Sequence, residues 1–114
     1  MRIGRVRSRA GFAALAATGR RARRGTVRLT AVLDPGTDRP QVAYAIGRPV
    51  GTAVVRNRTR RRLRAAVAEL APSPGTYLIG ATPAAASASY AELRDDLAGA
   101  LDRVGALDHA GSDT

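Results

Sequence analysis

Residues 47–70 read GRPVGTAVVRNRTRRRLRAAVAEL, and the reading of this stretch decides what surrounds it. Arg56, Arg58, Arg60, Arg61, Arg62 and Arg64 place six like charges in nine residues, yet the flanks carry apolar residues at helical intervals. At about 100° per residue, Thr59, Leu63, Ala66, Val67 and Leu70 fall within one arc of roughly 100°, the width of a core-facing stripe. Arg56 sits at the rim of that arc, and the other arginines fan across the remaining surface with Asn57. The spacing predicts an amphipathic helix from about Thr52, a possible cap, to Leu70, closed by the turn-forming APSPG at 71–75. A merely solvated helix mixes charge signs, because like charges at i,i+4 destabilise it. Six cations with no acid among them point instead to a polyanionic partner.

The rest of the composition narrows that partner. With 114 residues the chain has the size of one domain, expected at 1–107 with a disordered tail at 108–114. Its only aromatics are Phe12, Tyr44, Tyr77 and Tyr90, so the core must be built from Val, Leu, Ile and Ala. All nineteen basic residues are arginine, and the net charge is +10. The exclusive use of arginine, beside abundant Ala and Gly, fits GC-rich coding; the placement of the charges does not follow from coding. Residues 1–64 hold seventeen arginines against Asp34 and Asp38, a net +15. Residues 65–114 hold Arg94 and Arg103 against seven acids, a net −5. The absence of cysteine excludes disulfides and thiolate metal sites. No apolar run approaches the ~20 residues needed to span a bilayer. The basic start MRIGRVRSRAGF lacks an apolar signal core, so a cytoplasmic location is expected.

Outward from the arginine helix, SRAGFAALAAT (8–18) predicts a first helix with Ser8 as its cap and Gly19 as its stop. GTVRLTAVL (25–33) and QVAYAIG (41–47) alternate as half-buried strands, and DPGTDRP (34–40) is turn chemistry. The two strands suggest an antiparallel hairpin, with Tyr44 among the core residues beside Val42 and Ile46. A further strand fits around 20–28, and TYLIGAT (76–82) is a short apolar strand. Ser89 and Glu92 match a capping box opening a last helix that carries Leu93, Leu97, Ala100, Leu101 and Val104. The fold class is α+β, a two-layer α/β sandwich in the order αβββαβα.

Of the possible polyanions, a membrane surface would require larger apolar residues on the helix than Thr, Ala, Leu and Val. No helix-turn-helix, zinc finger or aromatic-bearing RNA-recognition strand is present, so no DNA-reading motif supports DNA. Nucleic-acid phosphates fit better. No catalytic residue and no metal site are assigned. His109 lies in the tail, and the adjacent Asp95 and Asp96 point to different sides of a helix whose dipole accounts for them. Neither a nucleophile–base pair nor a phosphate-cradling glycine motif appears.

The segment GRPVGTAVVRNRTRRRLR (47–64) resembles the signature of the bacterial ribonuclease P protein component. There a basic residue, a Gly, Ala-Val and Arg-Asn-Arg precede a basic helix. Arg48, Gly51, Ala53, Val54, Arg56, Asn57 and Arg58 stand at those positions, and Arg60, Arg61 and Arg64 follow at basic ones. RVRSRAGFAAL (5–15) and SYAEL (89–93) are also similar to the family, and the resemblance extends over about residues 2–105. It implies a subunit of a ribonucleoprotein endonuclease that removes the 5′ leader from precursor tRNA. The catalytic site then lies in the RNA subunit, which uses Mg²⁺. The protein binds that RNA through Arg48, Arg56, Asn57, Arg58, Arg60, Arg61 and Arg64, and favours metal binding by the complex. The family fold carries a left-handed βαβ crossover around the basic helix, against the general rule. It also holds the single-stranded leader in a cleft between the first helix and the sheet.

Arg9, Phe12, Arg28 and Thr30 are the cleft candidates here, with a base stacking on Phe12 and phosphates meeting Arg9 and Arg28. Phe12, the only Phe, reads equally well as a core residue. Several positions depart from the family pattern. Pro49 replaces a usual Lys, Thr52 an Asn, Ala16 and Thr30 aromatics, and Thr82 a basic residue. A structural, ribosomal-type RNA-binding protein without a processing role is the competing reading.

Overall fold

The structure, a computed structural model, describes residues 3–6 and 9–107. The Ser8 cap, the 108–114 tail and His109 lie outside the described residues. An Ala-rich run with no β-branched residue before its last position forms α1 (Arg9–Thr18). The further strand exists as β2 (Arg20–Arg24), and a two-residue turn at Gly25 and Thr26 joins it to β3 (Val27–Leu33). Gly25 has φ 52°, which glycine adopts at little cost. Next come β4 (Pro40–Ala45), a 3₁₀ turn at Arg48–Val50, α2 (Ala53–Leu70) and β5 (Gly75–Ala81). A second 3₁₀ turn at Pro83–Ser87 leads into α3 (Tyr90–Arg103), while a two-residue β1 (Gly4–Arg5) precedes α1. The two predicted caps within the described residues form. Thr52 Oγ1 accepts from Val55 N at 3.3 Å, and Ser89 and Glu92 exchange reciprocal bonds of 3.1 and 2.9 Å.

The sheet order is β1-β4-β5-β3-β2, with β5 antiparallel to β3 and parallel to β4. The expected hairpin between 25–33 and 41–47 is therefore not formed, because β5 lies between those strands. Its alternate side chains Tyr77 and Ile79 are wholly buried, so the sheet closes over both of its edges. The 34–39 link is long enough to cross two strand spacings, about 10 Å. Glycine at position 75 permits this closeness. It has φ 158°, and a Cβ there would stand 2.5 Å from the Val32 carbonyl oxygen. The hairpin that does form joins β2 to β3, and α2 is the crossover between the parallel neighbours β4 and β5.

Alternation sends Val27, Leu29, Ala31, Val42, Tyr77 and Ile79 to one face of the sheet. There they form one core with Leu63, Ala66 and Val67 of α2 and Leu93, Leu97, Ala100 and Leu101 of α3. The first helix lies against β3 and β5. It does so from the opposite face, since a Cβ at Gly19 would meet the outward Thr30 Cγ2 at 2.5 Å. Leu15 anchors it there, buried apart from the main core. Asp96 ties α3 to the hairpin turn, its Oδ2 accepting from Thr26 N at 2.9 Å and Thr26 Oγ1 at 2.7 Å. The adjacent Asp95 instead accepts from Arg94 Nη1 at 3.2 Å, so the two acids serve separate contacts. Helices α2 and α3 are clasped by Glu69, which accepts from the Arg94 guanidinium and from the Tyr90 hydroxyl.

Two outcomes follow from these ties. Asp96→Ala leaves two donors of the buried Thr26 without their acceptor, and we expect a loss of ~1–3 kcal/mol in urea denaturation. A change within experimental error would show that the turn holds without it. The Arg94 hydrogen bond keeps the Glu69 carboxyl below its ordinary pKa. A depressed carboxylate stabilises the fold above its unfolded pKa and ceases to do so as pH falls through the folded one. Stability should thus decline on acidification through the carboxylate range, and Glu69→Gln should make that decline shallower. An identical acid slope in the variant would remove Glu69 from the account.

Candidate nucleic-acid interface

The surface of α2 divides into three sectors. The first is the predicted apolar arc: Thr59, Leu63, Ala66 and Val67 are buried, and Leu70 packs against the core. Thr59 is buried without cost to its hydroxyl, which donates to the Val55 carbonyl at 2.9 Å. The second sector faces the 83–88 segment and α3. Here Arg58 Nη2 donates to the Ala86 carbonyl and Arg62 Nη1 to the Ala88 carbonyl, both at 3.1 Å, and Glu69 follows on the same side. These two arginines, half-buried, hold the helix to its neighbour.

The third sector is open. Arg60, Arg64, Asn57 and Arg61 follow one another around it at about 40°, 80°, 100° and 140° from Arg56. Asn57 Oδ1 accepts from Arg60 Nη1 at 2.9 Å and so fixes its direction. The Arg64 guanidinium lies over the Tyr44 ring, 5.7 Å from its centroid. Tyr44, expected in the core, is only half-buried and forms the platform under Arg64. Burial pushes its phenol pKa up, with the Arg64 charge acting in the opposite sense. Arg56 is half-buried, and its Nε is buried with no acceptor among the described residues. Arg48 is exposed on the 3₁₀ turn just before the helix. No acid occupies the first turn of α2, whose free N–H groups and dipole already favour an anion. Val54, 75% exposed in that turn, adds an apolar contact that the sequence showed only as part of the motif.

Glycine at position 51 shapes this entry. Its φ is 148°, and a Cβ would lie 3.0 Å from Val55 Cγ1. Thr52 caps the helix at the position where the family pattern has Asn, and Pro49 sits exposed inside the 3₁₀ turn.

On the other face of the sheet, Arg9, Phe12 and Ala16 share one side of α1, at intervals of three and four residues. Arg9 is exposed, and Phe12 is 44% exposed, which removes Phe12 from the core. Arg28 is exposed on β3 and points to the face that bears α1. Thr30 is half-buried beneath the end of α1, where Gly19 closes onto it, and is the least accessible of the four cleft candidates. Thr82 is buried. Its Oγ1 donates to the Gly25 carbonyl at 3.1 Å, and its N–H to the Thr26 carbonyl at 3.0 Å. It fastens the hairpin turn where a basic residue was expected from the family pattern.

Comparison with known proteins agrees with this geometry. The ribonuclease P family profile matches residues 2–105. The ribonuclease P protein component of Micrococcus luteus is 42% identical to this chain, covering 88% of it and 86% of its own length. That of Acidothermus cellulolyticus is 41% identical, covering 88% and 87%. Among solved structures, the Staphylococcus aureus RNase P protein matches with a TM-score of 0.78 over 91% of this chain and 97% of its own, at 15% identity. The Thermotoga maritima RNase P protein gives 0.74 over 87% and 96%, at 18% identity. At such identities the structural likeness establishes the fold, and the closer sequence relatives establish the lineage. The chain belongs to the ribonuclease P protein family.

Proposed function

We propose that this chain is the protein subunit of ribonuclease P and that it binds the catalytic RNA through the open sector of α2. The observation that carries the reading is the set Arg56, Asn57, Arg60, Arg61 and Arg64. These side chains line one flank of a rigid helix, Arg48 stands at its start, and no acid lies among them. Guanidinium groups take phosphate oxygens in pairs. Family membership favours this subunit over a ribosomal-type protein without a processing role. Arg58 belongs to the motif, but its place in the complex is to hold α2 against the Ala86 carbonyl.

The leader of precursor tRNA is assigned to the α1 side of the sheet. The exposed ring of Phe12 offers a stacking surface there, and Arg9 and Arg28 offer charges. Cleavage itself is assigned to the RNA subunit, with Mg²⁺ as its cofactor. Among the described residues no three carboxylate, imidazole or thiolate groups converge, so they do not fit a divalent-cation site of their own. The contribution of the chain is electrostatic positioning. A cytoplasmic location goes with this role, and no described helix is long and apolar enough to cross a membrane.

Reconstitution tests the proposal. The chain alone should cut nothing; mixed with its cognate RNA it should restore leader removal at Mg²⁺ concentrations too low for the RNA by itself. Failure to bind that RNA would end the reading. Arg56→Ala, Arg60→Ala and Arg64→Ala combined should weaken RNA binding on the order of 100-fold near physiological salt and flatten log K against log salt by about 2–3. An unchanged slope would place the contacts on another surface.

Single variants separate the two arginine sectors. Arg58→Ala should cost ~1–3 kcal/mol of stability. Arg61→Ala should stay within about 0.5 kcal/mol of the parent while weakening RNA binding. A stable Arg58→Ala protein with weakened binding would reverse the assignment.

A further inference from the structure

Strand β2 reads Arg-Arg-Ala-Arg-Arg, lies at the edge of the sheet and pairs only with β3. Its central Ala22 is buried in the main core, so alternation sends Arg20 and Arg24 to the core side and Arg21 and Arg23 to the opposite face. Contacts agree, since Arg24 lies against Gly99 of α3. On the outer face Arg23 stands directly across from Arg28, and Arg21 across from Thr30. Arg21, Arg23 and Arg28 are all exposed, and among the described residues none is paired with a carboxylate. Like charges directly opposite in a sheet are destabilising. The repulsion between Arg23 and Arg28 therefore calls for an anion outside the chain. These residues share their face with α1, Phe12 and the leader side of the sheet, on the far side from the open sector of α2.

We propose that Arg21 and Arg23, continuing from Arg28, form a phosphate-binding strip that carries the single-stranded 5′ leader beyond the α1 cleft. The inference rests on the leader-binding reading above and extends it to the sheet edge. The backbone positions of these arginines lie about 5 Å apart across adjacent strands and about 7 Å apart two residues along one strand. Such a ladder can follow a flexible sugar–phosphate chain without reading its bases. The strip predicts dependence on leader length and salt, with no preference for leader sequence. Edge charges also protect against strand-to-strand aggregation, and the test separates that role.

Holoenzyme is reconstituted with its cognate RNA, and its dissociation constant is measured for precursor tRNA with a full leader and with a leader trimmed close to the cleavage site. Arg21→Gln/Arg23→Gln is compared with Arg20→Gln/Arg24→Gln, which removes the same charge from the same strand on the opposite face. Circular dichroism melting establishes that both are folded. The outer-face variant should bind the full-leader substrate on the order of 10-fold more weakly, with a salt slope shallower by about 1.4, and bind the trimmed substrate as the parent does. Equal effects in both double variants, or a change in aggregation alone, overturn the strip. Phe12→Ala measured in parallel keeps the two readings apart. Leader dependence lost in Phe12→Ala but unchanged in the outer-face variant refutes the strip and leaves the cleft. Unchanged leader dependence in both refutes the cleft reading as well.

Discussion

Burial of Thr59, Leu63, Ala66 and Val67 beneath α2 is the contact on which the interface depends. The arginines of α2 form three i,i+4 pairs, Arg56–Arg60, Arg58–Arg62 and Arg60–Arg64, and two i,i+3 pairs, Arg58–Arg61 and Arg61–Arg64. At ~0.2–0.5 kcal/mol each, these five repulsions oppose the helix by about 1–2.5 kcal/mol. Complete burial of Leu63 or Val67 alone contributes about 1.5–3 kcal/mol. The seam therefore outweighs the repulsion with a small number of residues, and the rest of the surface remains available for charge. Several internal bonds reduce the repulsion further. Arg58 and Arg62 each donate to one backbone carbonyl, Arg60 bonds to Asn57, and Arg64 lies over Tyr44.

The acids are kept out of that field by the same architecture. Glu92 is occupied in the capping box, Asp96 with Thr26, and Glu69 with Arg94 and Tyr90. All of these contacts lie on α3 or on the side of α2 that faces it. These acids of the C-terminal half are thus each engaged in a contact within the fold. The stretch Arg56–Arg64 of α2 carries no carboxylate, a charge arrangement suited to electrostatic steering of a polyanion.

What could be read from the sequence follows from which interactions are local. The helices, the Thr52 and Ser89 caps and the buried arc of α2 rest on spacing within one segment, and these appeared as expected. Strand alternation tells which face a residue takes but not which strand lies beside it. The 25–33 and 41–47 pairing failed for that reason, and only the insertion of β5 reveals the true neighbours. Strand β2 gave a faint signal because a single buried alanine among four arginines carries little hydrophobic alternation. Projection of α2 gave correct angles for Arg58 and Arg62, yet could not show that the 83–88 segment would occupy that side. Thr82 and Thr30 belong to the same class, since their burial depends on the hairpin turn and on the end of α1.

The use of arginine throughout now divides into two cases. Coding bias suffices for exposed positions such as Arg5 or Arg103, where any cation serves. It does not suffice on α2. Arg58 and Arg62 reach backbone carbonyls with one terminal nitrogen while the guanidinium remains half-buried, and Arg64 lays a planar cation over a ring. A lysine ammonium is more strongly hydrated and has no plane to stack, so it fits neither arrangement as well. The division also bounds the RNA contact. Six arginines mark the segment in the sequence, but Arg58 and Arg62 each bond to a backbone carbonyl, and the other four, with Arg48 beside them, are the groups on which the proposed RNA contact draws. Part of the charge that makes the segment conspicuous thus serves to hold the helix in place.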